Sequence, residues 1–278
     1  MARMGRVIRL PSGRRDGTGY AVGVETNERP LAGCAALVTG ASSGIGAATA
    51  RALAGQGAAI GLVARRAERL EELAAAIRKE NGALCVVHTA DLTDPEQARG
   101  AVEGVSRRLG RLDVLVNGAG FMARGTVEES DPDKWQRLVD LNLTAVLHIS
   151  QVALPHLLSA AANGPRGVAD LVNVSSVAGR VARRSNSVYS ATKHAVVAFS
   201  EALRQEVTGR HVRVGLVEPG VTATEMTAGG MGELVMGGMP EEDWLRADDI
   251  ARAIVFMVTQ PAHAAVNELL LRPTAQEL

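Results

Sequence analysis

Aromatic side chains make up only 3% of this 278-residue chain, with two tyrosines, two tryptophans and three phenylalanines. A tyrosine in a patterned context therefore stands out. Cysteine is as rare, at two. Cys34 and Cys85 sit in or beside apolar strand-like runs, which reads as buried free thiols rather than a disulfide framework or a metal site. Charge of one sign is lacking too: 30 basic against 30 acidic side chains leave a formal net charge of zero. Nothing in that balance points to nucleic acid or to an anionic membrane surface. No apolar run approaches bilayer length, and the first residues lack a signal-peptide core. Arg14-Arg15 is a twin arginine in letters only, because Gly and Thr follow it. The expected compartment is the cytoplasm.

What is present is an ordinary globular balance, 46% hydrophobic and 22% charged. Residues 1–30 stand apart, rich in Arg and Gly and without a sustained period, and read as a flexible extension. From Leu31 onward, short apolar runs alternate with helical segments. Strands are expected at 35–39, 59–63, 84–88, 113–116, 168–174, 212–217 and 266–270. Helices are expected at 45–56, 67–80, 95–109, 132–161, 188–207 and 247–259. Continuous apolar strands imply a sheet covered on both faces, and the alternation implies right-handed βαβ crossovers. The expected architecture over residues 31–278 is one doubly wound α/β domain of Rossmann type, with about seven parallel strands. One segment breaks the rhythm. Residues 225–244 carry Met226, Met231, Met236 and Met239 among glycines. They read as a lid over an apolar ligand or as a surface loop, and departure from a strand's carboxyl end favours the lid.

The first strand runs directly into Gly40-Ala41-Ser42-Ser43-Gly44-Ile45-Gly46 and then a helix. Glycines there let the chain turn tightly and approach a pyrophosphate. The helix start offers free N–H groups and the positive end of its dipole. After the second strand, such folds use an acidic residue for the ribose 2′-hydroxyl of NAD or an arginine for the 2′-phosphate of NADP. This chain has Arg65-Arg66 and no carboxylate. Cations at a helix start call for a compensating anion, so NADP(H) is the expected cofactor, with Arg65 ahead of Arg66. Asp91-Leu92 and Asn117-Gly118-Ala119-Gly120 close the third and fourth strands on the same edge. Asp91 is placed to bond the adenine amino group, and the Asn117 loop to pack on the adenosine half.

Tyr189 and Lys193 stand four apart in a helical segment, hence one turn apart on one face. A phenol titrates near ~10, and a neighbouring ammonium lowers that value by stabilising phenolate. Ser175-Ser176 ends the fifth strand just upstream, on the ligand-binding edge.

Together these motifs resemble the short-chain dehydrogenase/reductase family, in the family's order and over the whole chain from Leu31. The set is the glycine loop, Asp91, the Asn117 loop, Asn142 in Leu-Asn-Leu, Ser176, Tyr189-x-x-x-Lys193, and Pro219-Gly220 with Thr224. The resemblance implies reversible hydride transfer between NADP(H) and a carbonyl/alcohol pair. Tyr189 is then the proton donor, Ser176 bonds the carbonyl oxygen, and Lys193 holds the nicotinamide ribose and lowers the tyrosine pKa. It implies further that Asn142 anchors a water linking Lys193 to solvent. Backbone after Pro219-Gly220, at Val221, meets the nicotinamide carboxamide, with Thr224 nearby. The family usually carries Asn-Asn where this chain has Asn117-Gly118, a change that bears on the adenosine pocket and not on the reacting groups.

A finer resemblance, in 153–158, 199–207, 217–220 and the tail 271–276, is to the subgroup containing clavulanic acid dehydrogenase and the NADP-dependent 3-hydroxy acid dehydrogenases. It implies a small ketone or aldehyde of secondary metabolism, although fold kinship fixes substrate poorly. Two alternatives stand: a 3-oxoacyl-carrier-protein reductase, and a non-catalytic NADP(H)-sensing protein. Arg180, Arg183 and Arg184 border the expected substrate region. One of them engages a substrate carboxylate or carrier phosphate, or all three form a solvated basic loop. The family also implies a homo-oligomer, a tetramer ahead of a dimer, through helices 132–161 and 188–207.

Overall fold

The computed structural model describes residues 29–228 and 239–277. Nearly all of the expected extension, and residues 229–238 of the expected lid, lie outside them. Seven parallel strands form one sheet: β1 (Ala35–Thr39), β2 (Ala59–Ala64), β3 (Cys85–Thr89), β4 (Val114–Asn117), β5 (Ala169–Val174), β6 (Val212–Pro219) and β9 (Glu268–Leu271), in the order β3-β2-β1-β4-β5-β6-β9. A separate ladder of two residues each joins β7 (Thr222–Ala223) to β8 (Leu245–Arg246).

The crossover helices are α1 (Gly44–Gly55), α2 (Ala67–Asn81), α3 (Pro95–Leu109), α4 (Pro132–Val139), α5 (Ala145–Asn163), α6 (Ser187–Val207) and α7 (Ala247–Val258). Alternate strand residues serve opposite faces, as a period of two requires. Ala36 and Val38 face α1, α2 and α7, in one core with Leu53, Leu70, Ile77 and Ile254. Leu37 faces α3, α5 and α6, in the other core with Val102, Ile149, Leu157 and Leu203. Both cores are aliphatic, as the scarcity of aromatics requires. Helix starts follow local chemistry. Asp94 accepts from the Glu96 and Gln97 N–H groups ahead of Pro95, and Asp131 caps α4 ahead of Pro132.

Element ends differ from the sequence expectation by one or two residues, with one larger difference. The expected helix 132–161 is interrupted by a π-helical turn, Asp140–Thr144, between α4 and α5. The run Pro132–Asn163 is also long and apolar enough, by length and composition alone, to cross a membrane, which corrects the expectation that no such run exists. Here its apolar face, with Ala145, Ile149, Ala153 and Leu157, is spent on the core. Both cysteines are free and buried, and burial pushes the Cys34 thiol up to about 11.

The strand order reverses between β1 and β4. In such sheets the crevice beyond the carboxyl ends of these strands receives ligands.

Candidate active site

A cavity of about 530 Å³ opens at that crevice. Gly40, Ser42, Ser43, Gly44, Ile45, Gly46, Arg65, Arg66, Asp91, Leu92, Ala119 and Gly120 line one part of it. Ser176, Tyr189, Lys193, Pro219, Gly220, Val221 and Thr224 line the rest. Segments more than 180 residues apart in sequence thus meet at one sheet edge, because every βα connection leaves it from the same side.

The glycine loop has no spare room. Gly40 takes φ +70°, and a Cβ there would stand 2.8 Å from the backbone of Gly118 and Ala119. A Cβ on Gly46 would stand 2.4 Å from the Gly40 carbonyl oxygen. Glycine at both positions lets α1 start against the loop and the β4 loop close over it. Thr39 Oγ1 ties the two loops together, accepting from the N–H groups of Gly118 and Ala119 at 3.1 and 3.2 Å. Ser43, the residue before α1, makes no side-chain cap. The helix start therefore keeps donors for an anion.

Arg66 stands closest to this loop. Its guanidinium donates to Ser42 Oγ at 3.1 Å, to Ser43 Oγ at 2.6 Å and to the Glu225 carboxylate at 2.7 Å. Arg69 approaches the same carboxylate at 3.6 Å. The Arg66 hydrogen bond, first among several causes, holds Glu225 below the usual carboxylate range. This corner of two cations and two hydroxyls already holds an oxyanion, and its donor set suits a 2′-phosphate. Arg65, ranked ahead of Arg66 on sequence, lines the same cavity but sits 3.9 Å from Asp91 and touches neither serine in this way. At the other end, the Val221 N–H donates to Gln276 Oε1 at 3.1 Å. A side-chain amide oxygen there is the same kind of acceptor as a nicotinamide carboxamide. The cavity thus fits a nicotinamide dinucleotide at both ends.

The reacting groups come together as follows. Tyr189 and Lys193 lie one turn apart on α6, both buried, at 8% and 5% exposure. Ser176 follows β5 and lines the same cavity; its hydroxyl accepts from the Ala178 N–H at 3.1 Å and favours the Tyr189 phenolate. The ammonium–phenol relation differs from the expectation. Lys193 Nζ donates to the Val174 carbonyl at 2.9 Å and lies 5.7 Å from the tyrosine ring centre. Burial, the largest cause, pushes the Tyr189 phenol up, against the Ser176 hydroxyl and the positive charge of Arg124. Burial likewise pushes the Lys193 ammonium down to about 8. Neither group is among the causes of the other's shift, so the depression of the phenol that spacing alone suggested does not arise.

Two expected residues stand behind the cavity wall. Asn142, fully buried in the π-turn, accepts from the Phe121 N–H and donates to the Phe121 carbonyl, both at 2.8 Å. Its side chain pins the loop after Gly120. Asn117 donates to Ser150 Oγ at 3.1 Å and to Asn173 Oδ1 at 2.8 Å, so it knits β4 to α5 and β5 from beneath the loop that faces the cavity.

The three arginines part company. Arg180 is spent on a structural network, donating to Glu218 at 2.7 Å and pairing with Glu268 on β9. That removes it as a substrate ligand. Arg184 is exposed and not part of the lining, whereas Arg183 lines the cavity. Sequence reasoning missed Arg124, which also lines it, together with Glu225 and Gln276. A lone arginine in a loop carries no pattern, and the roles of the other two depend on partners distant in sequence. Both ends of the expected lid are held: β7 pairs β8, and Trp244 Nε1 donates to the Met239 carbonyl at 3.2 Å.

Comparisons with known proteins give the family and the fold. The family described as short chain dehydrogenase matches residues 34–231. An oxidoreductase of Staphylococcus saprophyticus is 33% identical over 246 residues, covering 87% of this chain and 96% of that protein. Glycine betaine reductase of Emericella nidulans is 38% identical over 247 residues, or 88% of this chain, which spans only 19% of that much longer protein. Among solved structures, a short chain dehydrogenase from Burkholderia cenocepacia J2315 in complex with NADP superposes with a TM-score of 0.79 at 32% identity, covering 88% of this chain and 99% of that one.

Proposed function

Since this chain belongs to the short-chain dehydrogenase family, we propose that it is an NADPH-dependent reductase of a small ketone or aldehyde, working reversibly on the corresponding alcohol. The observation that carries this reading is the convergence of Ser176, Tyr189 and Lys193 on the cavity that the glycine loop closes. A nicotinamide dinucleotide held there supplies the hydride. The residues proposed to hold it are the loop from Gly40 to Gly46, Arg65 and Arg66, Asp91 and Leu92, the Asn117–Gly120 loop, Tyr189, Lys193, and the stretch Pro219, Gly220, Val221 and Thr224. Arg66, with Ser42 and Ser43 beside it, is the main support for choosing NADPH.

Tyr189 gives its proton to the carbonyl oxygen as that oxygen gains charge, and Ser176 donates a hydrogen bond to the same oxygen. The cationic Lys193 then stabilises the phenolate left behind. Asn142 keeps the Gly120–Phe121 loop in place beside these groups and anchors a water linking Lys193 to solvent, so that Lys193 passes a proton to the Tyr189 phenolate as it takes one from that water. The intact Ser176–Tyr189–Lys193 set argues against a purely sensing role, which needs none of it. We further propose a cytoplasmic homo-oligomer, a tetramer ahead of a dimer, associating through the outer faces of α5 and α6.

The test is turnover of small ketones, aldehydes and acyl-thioesters with NADPH and with NADH. Oxidation of NADPH in preference to NADH, on free ketones or aldehydes, supports the reading. Turnover of acyl-thioesters alone would replace it with a carrier-protein reductase, and no turnover with any member would overturn it.

A further inference from the structure

Two arginines, Arg124 and Arg183, line the substrate end of the cavity. Arg124 follows β4 in the loop 118–126, and Arg183 follows the Ser176 turn. A backbone hydrogen bond from the Gly125 N–H to the Ser185 carbonyl, at 3.1 Å, stitches these loops together. Both side chains therefore enter the cavity from one wall, alongside Tyr189.

Their environment is costly. Burial lowers the Arg124 pKa, and the like charge of Arg183 lowers it further. Arg124 Nε is buried without a hydrogen-bond partner, and no ion pair to Arg124 occurs among the described residues. Arg180, by contrast, is fully engaged with two carboxylates. A half-buried guanidinium beside a second one, with a donor unused, is a binding group lacking its anion rather than a packing group. Its position bounds the ligand. Arg124 lies close enough to Tyr189 for its charge to favour the phenolate, so the anion it takes sits within a few bonds of the reacting carbonyl. A carrier phosphate, at the far end of a long pantetheine arm, does not meet that condition.

We propose that Arg124 is a specificity-determining residue that binds a carboxylate on the substrate, so that this protein reduces short oxo acids. The inference rests on the carbonyl-reductase reading above. The carboxylate is unchanged by the reaction: hydride adds to the carbonyl carbon, the Tyr189 proton goes to its oxygen, and NADP⁺ and a hydroxy acid leave.

The experiment compares 3-oxobutanoate and 4-oxopentanoate with their methyl esters, and with 3-oxobutanoyl-phosphopantetheine, in the wild type, Arg124→Met and Arg124→Lys. A charge-assisted contact is worth roughly ten- to hundredfold in kcat/KM. We expect the wild type to favour an acid over its ester by that factor, mainly through KM. Arg124→Met should abolish the preference, and Arg124→Lys should recover part of it. Equal kcat/KM for acid and ester in the wild type would overturn the proposal while leaving a carbonyl reductase. So would a fall in kcat common to acids and esters in Arg124→Met with a shifted pH profile, which would make Arg124 an electrostatic partner of Tyr189. A preference for the phosphopantetheine thioester that Arg124→Met removes would also overturn it. Failure to reduce any of these carbonyls, or those of the wider panel, would instead overturn the parent reading.

Discussion

Replacing Lys193 by methionine should make the protein more stable and less active at once. The ammonium is 5% exposed, donates to one carbonyl and is displaced by burial from 10.5 to about 8. At roughly 1.4 kcal/mol per pKa unit, keeping this group charged at pH 7 costs the folded state about 3 kcal/mol relative to the unfolded chain. Methionine is of similar length and removes that cost. Against it stands the lost hydrogen bond to the Val174 carbonyl, about 1 kcal/mol. The net expectation at pH 7 is a gain of about 1–2 kcal/mol, seen as a rise in Tm of several degrees. Sign and window follow from the direction of the shift. Between pH 8 and 10.5 the unfolded chain binds the proton and the folded one does not, so wild-type stability rises with pH through that window. The advantage of the variant should therefore be greatest below pH 8 and fade towards 10.5. The assay is thermal unfolding without added cofactor at pH 7, 8.5 and 10, paired with kcat at pH 7. A variant less stable than wild type at pH 7, or an advantage that does not change with pH, would refute the reasoning.

The glycine loop gives a paired test. Gly46→Ala should lose at least about tenfold in NADPH affinity and gain no stability, because its Cβ would meet the Gly40 carbonyl at 2.4 Å. Gly100→Ala, inside α3 with nothing within 4 Å of the new Cβ, should gain about 0.5–1 kcal/mol from helix propensity alone. Calorimetry and NADPH titration of both variants check the contrast, which fails if the two behave alike. Arg66→Ala should raise KM for NADPH roughly ten- to hundredfold and leave that for NADH nearly unchanged. Equal effects on both cofactors in steady-state kinetics would make Arg66 a structural residue.

The sheet was legible because its strands are apolar on both sides, so that each reads as a short uninterrupted run between helical segments. The cofactor loop was legible because three glycines follow the first strand at one spacing. The Tyr189–Lys193 pair stood out because tyrosine is so scarce here. Other features left no local signal. The π-turn at Asp140–Thr144 preserves the apolar character of the helix it interrupts, and β7 and β8 are too short to show a period of two. The fate of Arg180 depends on Glu218 and Glu268, 38 and 88 residues away, and no basic stretch announces which of its members is already paired. The expected depression of the Tyr189 pKa failed for a related reason. Helical spacing shows that Lys193 is near, but not that both groups are buried and that its ammonium turns to a carbonyl.

The central claim is that Tyr189 donates the proton. Tyr189→Phe removes that proton and little volume, so the most direct measurement is its kcat together with its affinity for NADPH by fluorescence titration. Loss of a general acid predicts a fall in kcat of roughly a hundredfold or more, with NADPH still bound within a few-fold of wild type. Turnover close to wild type, with cofactor bound, would contradict it.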